Sequence, residues 1–309
     1  MHLPDGFLDA KTSVATGLLA MASVGAALRQ AQANLQPREV PAWGLGAAFV
    51  FAAQMLNFPV VAGTSGHLSG GFLCAALFGP APAVLILTSV LVVQCLVFAD
   101  GGVMALGANI LNMGVLGTFL PWLVFRLLRA SLPRDSRWAY LSAAFLAAWT
   151  GPLVSSALCA GQLAFSHTVQ AGLVFPAMLG VHVLIGLGEA LITVAVLRLL
   201  MAKRPALDQE VSAKVLGSRF GWVAGVAASV GLVVFVAPFA SPWPDGLEHV
   251  AEKLGFAEKG AAPLPSPLPD YTVPGLGEGA LSTIAAGLAG VIILLLLVAL
   301  VLRVSRRRA

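Results

Sequence analysis

The first two residues of the chain carry three nitrogen atoms that suit a transition-metal ion. An unblocked Met1 offers its α-amine, and His2 offers both its backbone amide and its imidazole. Together these nitrogens would close a five-membered and a six-membered chelate ring around one ion. Planar nitrogen coordination of this kind suits Ni(II) or Cu(II), and three nitrogens leave one position open. Because His2 is too bulky for the usual removal of the initiator methionine, we expect Met1 to persist.

The fourth nitrogen is expected from His67, which lies in the glycine-rich segment GTSGHLSGG at 63–71. Glycines permit a tight backbone and the close approach of another segment. The segment is not a Walker A loop, because no lysine follows its glycines. Since His2 and His67 are predicted to lie on the same face of a membrane, we interpret His67 as a metal ligand; the alternative is an ordinary hydrogen-bonded polar residue.

The elements that position these residues are predicted to be membrane helices. Of the 309 residues, 58% are hydrophobic and 10% are charged, whereas soluble domains carry about 25% charged residues. The mean hydropathy is +0.90. This composition predicts an all-α polytopic membrane bundle. The net charge of +4 does not indicate nucleic-acid binding, because the basic residues lie in short loops between apolar runs. The three cysteines lie within apolar runs without CxxC spacing, and we interpret them as small buried residues.

Nine apolar runs predict nine membrane crossings, including a full crossing by the short run 66–78. Four segments hold most of the basic residues and should face the cytoplasm, which places the N-terminus outside and the C-terminus inside. The first seven runs would form a bundle, and the last two a hairpin with an outer loop. The runs lie near 12–28, 43–58, 66–78, 81–98, 105–125, 141–164, 174–200, 220–239 and 281–302.

The predicted domains are a metal-capturing body at 1–203, a cytoplasmic linker at 204–219 and the hairpin domain at 220–309. The outer segment 240–280 is rich in Pro and Gly and has an acidic balance that would attract cations. We expect this hairpin to help load the metal site or to gate the N-terminal residues. A solvated linker is the alternative interpretation of its loop.

Several polar residues lie in or beside the apolar runs, where they need partners and often mark function. Asn57, Asp100 and Ser65 are expected to orient the metal ligands, with plain inter-helix hydrogen bonding as the alternative. For Gln54, Asn109 and Asn112 inter-helix bonding is the favoured interpretation. His182 and Glu189 share one helix face and are not expected to be ligands. His167 and His249, on the outer side, are expected to be solvated, with transfer of metal toward the primary site as the alternative.

Six motifs in order along residues 1–203 resemble the CbiM/NikM family, the substrate-capturing membrane components of energy-coupling-factor transporters for cobalt and nickel. They are MHLPDG, FAAQMLNFPV, GTSGHLSGG, FADGG, ALGANILNMG and HVLIGLGEA. Residues Pro244–Glu248 spell the PDGLE motif of the CbiN/NikN component, so the chain resembles a fusion of the two.

The resemblance implies that nitrogens matching Met1, His2 and His67 bind the metal. It also implies a prokaryotic plasma membrane and, as partners, a transmembrane coupling subunit and a pair of ATP-hydrolysing subunits. The sequence itself contains no nucleotide-binding motif. The metal is cargo, and no cofactor is expected.

Two other functional classes compete with metal uptake. A membrane enzyme of cobalamin or metal metabolism would need a catalytic motif, and neither HExxH nor GxSxG occurs. A passive cation channel would need rings of carboxylates or carbonyls, and Glu189 is the main carboxylate within the apolar runs. The choice between nickel and cobalt stays open: planar nitrogen coordination favours Ni(II), but nitrogen ligands also hold Co(II).

Overall fold

The computed structural model is a bundle of membrane helices, and it describes residues 1–34, 39–60, 63–133, 135–201, 216, 218–261 and 264–306. Seven helical segments within these ranges are long and apolar enough to cross a membrane. This confirms the predicted all-α membrane bundle. The helices are α1 (Ala10–Asn34), α2 (Val40–Gln54), α3 (Gly71–Phe78), α4 (Pro80–Phe98), α5 (Leu106–Ser131), α6 (Arg137–Phe165), α7 (Ala171–Met201), α8 (Arg219–Phe235), α9 (Gly246–Leu254) and α10 (Ala280–Arg306).

Each of the nine predicted crossings corresponds to a helix, but two of these helices are short. Helix α2 has 15 residues, and α3 has only eight. At ~1.5 Å per residue, α3 spans about 12 Å, less than half of the ~30 Å hydrocarbon layer. The expected full crossing by 66–78 is therefore not made by a helix alone. The physical reason is Gly70, whose φ of +76° starts α3 late and leaves the residues before it extended.

The chain between α2 and α3 forms a small hairpin that carries His67. Strand β1 (Phe58–Val60) pairs antiparallel with β2 (Thr64–Gly66), and Phe58 lies opposite Gly66. His67 follows β2 directly. Gly66 lies so close to Ile185 of α7 that a Cβ would not fit between them. The hairpin therefore packs directly against α7.

Helix α5 contains a π-helical stretch at Ile110–Leu116. The Ser155 hydroxyl of α6 donates to the carbonyl of Asn112 at 2.9 Å, and the Thr118 hydroxyl donates to the carbonyl of Met113 at 3.2 Å. These bonds tie side chains of α5 and α6 to carbonyls of the π-helical stretch, and π-bulges are frequent near functional sites.

The C-terminal hairpin packs onto the body of the bundle. Helices α8 and α10 both contact α2. Gly290 of α10 lies directly against Phe51, where a Cβ would overlap the aromatic ring, and Gly225 of α8 lies equally close to Leu45. Between the two helices, the described residues at 237–261 and 264–279 lie over one end of the bundle and include α9. This arrangement brings residues of the hairpin to the N-terminus of the chain.

Candidate metal centre

Residues 1–9 run into the bundle. Leu3 is 1% exposed and Phe7 is 4% exposed. The backbone N–H of Leu3 donates to Asn109 Oδ1 at 2.8 Å, and Asn109 Nδ2 donates back to the Leu3 carbonyl at 3.1 Å. The N–H of Gly102 also donates to that carbonyl, at 2.9 Å. Asn109 therefore anchors the N-terminal segment. Its side chain bonds to Leu3 and not to another helix, which differs from the inter-helix bonding that the sequence favoured.

Asp5 fixes the same segment a few residues further on. Its carboxylate accepts backbone N–H bonds from Val103, Met104 and Ala105 at 2.8–3.1 Å. These N–H groups belong to the turn that leads into α5. The carboxylate therefore ties the N-terminal segment to this turn and defines its position relative to α5.

The insertion brings together the three residues predicted as ligands. The Met1 α-amino group donates to His67 Nε2 at 2.7 Å. The rings of His2 and His67 are stacked, with their centroids 5.5 Å apart and an interplanar angle of 17°. No three His, Cys, Asp or Glu side chains in the described ranges form a metal site by themselves, so a nitrogen donor set here needs the backbone nitrogens of residues 1 and 2.

The His2 ring makes a contact that the chelate predicted from sequence does not include. Its Nδ1 lies 3.0 Å from Asp100 Oδ1, and its Nε2 is buried without a hydrogen-bond partner in the described structure. Binding through Nδ1, as the six-membered chelate requires, means giving up the contact with Asp100. As placed, the open nitrogen of His2 is Nε2, and a carboxylate on the other ring nitrogen is common for histidines that bind metals.

The electrostatics of the centre favour a neutral His67 beside two carboxylates. Burial, together with the nearby positive N-terminus, lowers the pKa of His67 to about 3, so its imidazole keeps a lone pair at neutral pH. Burial alone would raise the pKa of Asp100, but His2 lowers it well below its usual range. The N-terminal charge likewise outweighs burial for Asp245 and lowers its pKa. Two carboxylates thus lie beside the nitrogens of Met1, His2 and His67.

The loop that carries His67 is hydrogen-bonded to α7. Both carboxylate oxygens of Glu189 lie within 2.7 Å of the Ser69 hydroxyl, and the backbone N–H groups of Ser69 and Gly70 donate to them at 3.1 and 3.2 Å. Gln54 Nε2 donates to the Ser69 carbonyl at 2.8 Å. Glu189 and Gln54 therefore position the residues that follow His67.

We expect Glu189→Ala to destabilise the protein, because it leaves three donors, two at the half-buried Ser69 and one at the buried Gly70, without their acceptor. Unsatisfied buried donors cost about 1–3 kcal/mol each. The midpoint of thermal unfolding in detergent should fall by several degrees. Ser69→Ala, which removes one donor together with its need for an acceptor, should have a clearly smaller effect. Equal midpoints for Glu189→Ala and the unmodified chain would contradict this assignment.

The other residues considered from sequence occupy varied places. Ser65 donates from its hydroxyl to the Trp243 carbonyl at 2.7 Å, so it contacts the C-terminal hairpin. Asn57 accepts a backbone hydrogen bond from Ser241 at its carbonyl. Asn112 and Gln162 pair through their side-chain amides at 2.7 and 2.8 Å, an inter-helix bond. His167 is exposed, and His249 is half-buried on α9.

His182 lies closer to the centre than its sequence context suggested. Its Nδ1 donates to the Met178 carbonyl at 2.7 Å. It lines a cavity of about 20 Å³, roughly the size of one water molecule, together with Met1, His67, Glu189 and Asp245.

Sequence reasoning did not single out Asp245 or Tyr271 as residues of the centre. Asp245 Oδ2 lies 2.7 Å from the Met1 nitrogen, and the Tyr271 hydroxyl donates to Asp100 at 2.5 Å. For Asp245 a signal existed, because it is the acidic residue at the start of the PDGLE motif on the predicted outer face. Tyr271 lies in a Pro-rich stretch and carried no comparable signal.

Comparisons with known proteins agree with this architecture. The family model described as the cobalt uptake substrate-specific transmembrane region, CbiM, matches residues 2–207, and the PDGLE domain model matches residues 219–307. A putative fused nickel transport protein NikMN of Archaeoglobus fulgidus is 36% identical over 96% of both chains. The fused nickel transport protein NikMN of Rhodobacter capsulatus is 28% identical over 94% of both.

A solved structure shares the fold of the body. The crystal structure of a truncated transition metal transporter superposes with a TM-score of 0.59 at 28% identity and covers 66% of this chain and 99% of that one. The family match spans well over half of the chain and includes His2 and His67, which the structure brings together. The chain therefore belongs to the CbiM family of cobalt uptake substrate-specific transmembrane regions, joined here to a PDGLE domain.

Proposed function

We propose that this protein is the membrane component that captures Ni(II) or Co(II) for an ATP-driven energy-coupling-factor importer. The observation that carries the proposal is the buried cluster in which the Met1 amine lies 2.7 Å from His67 Nε2 and the His2 ring stacks on His67. The metal would bind the Met1 amine, His2 through its backbone amide and imidazole, and the His67 imidazole. Nitrogen-rich sites of this kind suit late divalent transition metals.

The names of the relatives support the transported ion but divide between two metals. Full-length relatives with the same two domains are named for nickel, and a relative that matches the body alone, from Methanococcus voltae, is named a putative cobalt transport protein CbiM. We favour nickel, because planar nitrogen coordination suits Ni(II) better. Cobalt is the alternative cargo.

ATP hydrolysis belongs in this proposal to partner subunits, and a transmembrane coupling subunit would join them to this chain. A relative from Methanocorpusculum labreanum, named a putative fused cobalt transport protein CbiMQ, matches over 66% of this chain but only 36% of its own length. A body of this kind is therefore found fused to a further component. We place the N-terminus outside and the C-terminus in the cytoplasm, since the basic segments lie on the C-terminal side of the odd-numbered crossings.

The decisive experiment is a calorimetric titration of Ni(II) and Co(II) into two purified forms of the full chain. One form has the native N-terminus, and the other carries three alanines before Met1, because a single added residue would place the histidine third and create a new planar nitrogen chelate. We expect tight binding by the native form and a loss of at least about 100-fold in the extended form, because the extension converts the ligand amine into an amide and displaces the buried terminus. The metal bound more tightly by the native form is then the expected cargo.

Equal binding by the two forms would refute the amine as a ligand. Binding by neither form would refute metal capture itself. Full import in a cell that lacks the partner ATPase would refute the transporter assignment in favour of a channel.

A further inference from the structure

Two residues of the C-terminal hairpin reach the two N-terminal residues of the candidate metal centre. Asp245 Oδ2 pairs with the Met1 amine at 2.7 Å. The Tyr271 hydroxyl donates to Asp100 Oδ2 at 2.5 Å, and the other oxygen of Asp100 lies 3.0 Å from His2 Nδ1. Each of the first two residues is thus held through a chain of polar contacts that starts in the hairpin.

Asp245 is itself held in place from two directions. Its Oδ1 accepts the N–H groups of Leu247 and Glu248 at 2.7 and 2.9 Å and so caps α9, while Oδ2 remains for Met1. The preceding residue, Pro244, accepts the N–H of Ser65 at its carbonyl at 2.8 Å. The carboxylate is therefore fixed relative to both the hairpin and the loop that carries His67.

The next residue allows this close approach. A Cβ on Gly246 would lie 2.8 Å from His182 Cε1 and from Ile185 Cδ1, closer than unbonded carbon atoms pack. The glycine of the PDGLE motif thus lets the motif lie against α7 beside the metal centre.

Tyr271 is fixed by aromatic packing. Its ring stacks on Phe98 with centroids 4.8 Å apart and an interplanar angle of 19°. Gln94 Nε2 donates to its hydroxyl at 3.2 Å. With its hydroxyl accepting from Gln94, Tyr271 has its own proton directed at Asp100, and Asp100 in turn orients the ring of His2.

We propose that Asp245 and Tyr271 are positioning residues that hold the N-terminal segment inside the bundle, so that the PDGLE hairpin completes the metal centre. The Met1 amine is buried beside a neutral His67, and Asp245 is the anion paired with it, so loss of Asp245 leaves a buried cation without a counter-charge, which is costly. Without Asp245, the Met1 amine is more stable in water than inside the bundle, so the terminus moves outward and carries His2 with it. The significance for metal capture rests on the proposed function, whereas the positioning itself does not.

The first test therefore uses the metal-free full chain. An amine-acylating reagent at neutral pH is applied to the unmodified protein, to Asp245→Asn and to Glu252→Gln, and the modification of Met1 relative to exposed Lys11 is followed by mass spectrometry. Asn caps a helix as well as Asp does, so α9 should persist in Asp245→Asn. Glu252 is an exposed acidic residue on the same helix and controls for the loss of one negative charge.

We expect the Met1 amine to react at least about tenfold faster in Asp245→Asn than in the other two proteins, because loss of an ion pair worth ~1.4 kcal/mol or more changes an equilibrium tenfold. Asp245→Glu, which restores the charge, should return the rate toward that of the unmodified protein. Equal rates in Asp245→Asn and the unmodified chain would overturn the role of Asp245.

The second test applies the same acylation assay to metal-free Tyr271→Phe. The ring that stacks on Phe98 is kept, and only the hydroxyl that holds Asp100 is lost. We expect Met1 to react at least about threefold faster in this variant, because a hydrogen bond to a charged group that orients His2 is lost, whereas Tyr140→Phe, which removes the other tyrosine hydroxyl, should react as the unmodified chain does. An unchanged rate in Tyr271→Phe would overturn its role. Because neither test uses metal, both decide the positioning even if the unmodified chain binds no nickel and the proposed function fails.

Discussion

Replacing His67 by alanine is expected to lower the affinity for Ni(II) by more than about 100-fold. Its Nε2 is the imidazole nitrogen that contacts the Met1 amine, and in the proposed centre it is the ligand that does not come from the N-terminal segment. Removing a group that merely orients a ligand costs about 10–100-fold, so removing the ligand itself should cost more. Calorimetric titration of the purified full chain measures this directly.

His167→Asn is the matched control for that experiment. His167 is exposed and has a φ of +54°, a backbone conformation that asparagine tolerates better than most residues. Its affinity for Ni(II) should equal that of the unmodified protein. A chain in which His167→Asn loses binding and His67→Ala keeps it would require a different metal site altogether.

Gly102→Ala is expected to displace the N-terminal segment and to lower metal affinity by at least about tenfold. A Cβ at residue 102 would overlap the backbone nitrogen and the carboxylate of Asp5. Because one of those atoms belongs to the backbone, no side-chain rotation relieves the clash, and the segment carrying Met1 and His2 must move. Overpacking of this kind also costs about 1–3 kcal/mol of stability.

Gly172→Ala controls for the substitution, since nothing lies within 4 Å of its added methyl group. Both variants should be titrated with Ni(II) and tested for acylation of Met1. The clash predicts faster acylation and weaker binding in Gly102→Ala and no change in Gly172→Ala. If Gly102→Ala binds nickel normally, the position of the N-terminal segment in this structure is not the one that captures the metal.

The parts of the fold that follow from local composition were predictable. Long apolar runs must form helices in a membrane because every backbone polar group needs a partner there, and the seven long helices follow from this. The short helix α3 was not predictable from hydrophobicity. Its start depends on Gly70, which takes a positive φ while its N–H binds Glu189 of a distant helix.

The candidate metal centre also has a part that the sequence predicts and a part that only the fold creates. The nitrogens of Met1 and His2 are neighbours in the covalent chain, so their joint chemistry is visible in the sequence. The contacts of Asp245 and Tyr271 join residues separated by 244 and 171 positions, and no spacing rule connects them. Only the fold brings the hairpin to the N-terminus, because α8 and α10 dock on α2.

The covalent attachment of the hairpin has a kinetic and thermodynamic consequence. Relatives such as a putative metal transport protein of Haloquadratum walsbyi match 67% of this chain over 93% of their own length, so they match without a segment equivalent to the hairpin. In the present chain, tethering confines the hairpin to an effective concentration on the order of millimolar beside the body. Because α8 and α10 are already seated on α2, Asp245 and Tyr271 reach the N-terminal residues without a separate association step.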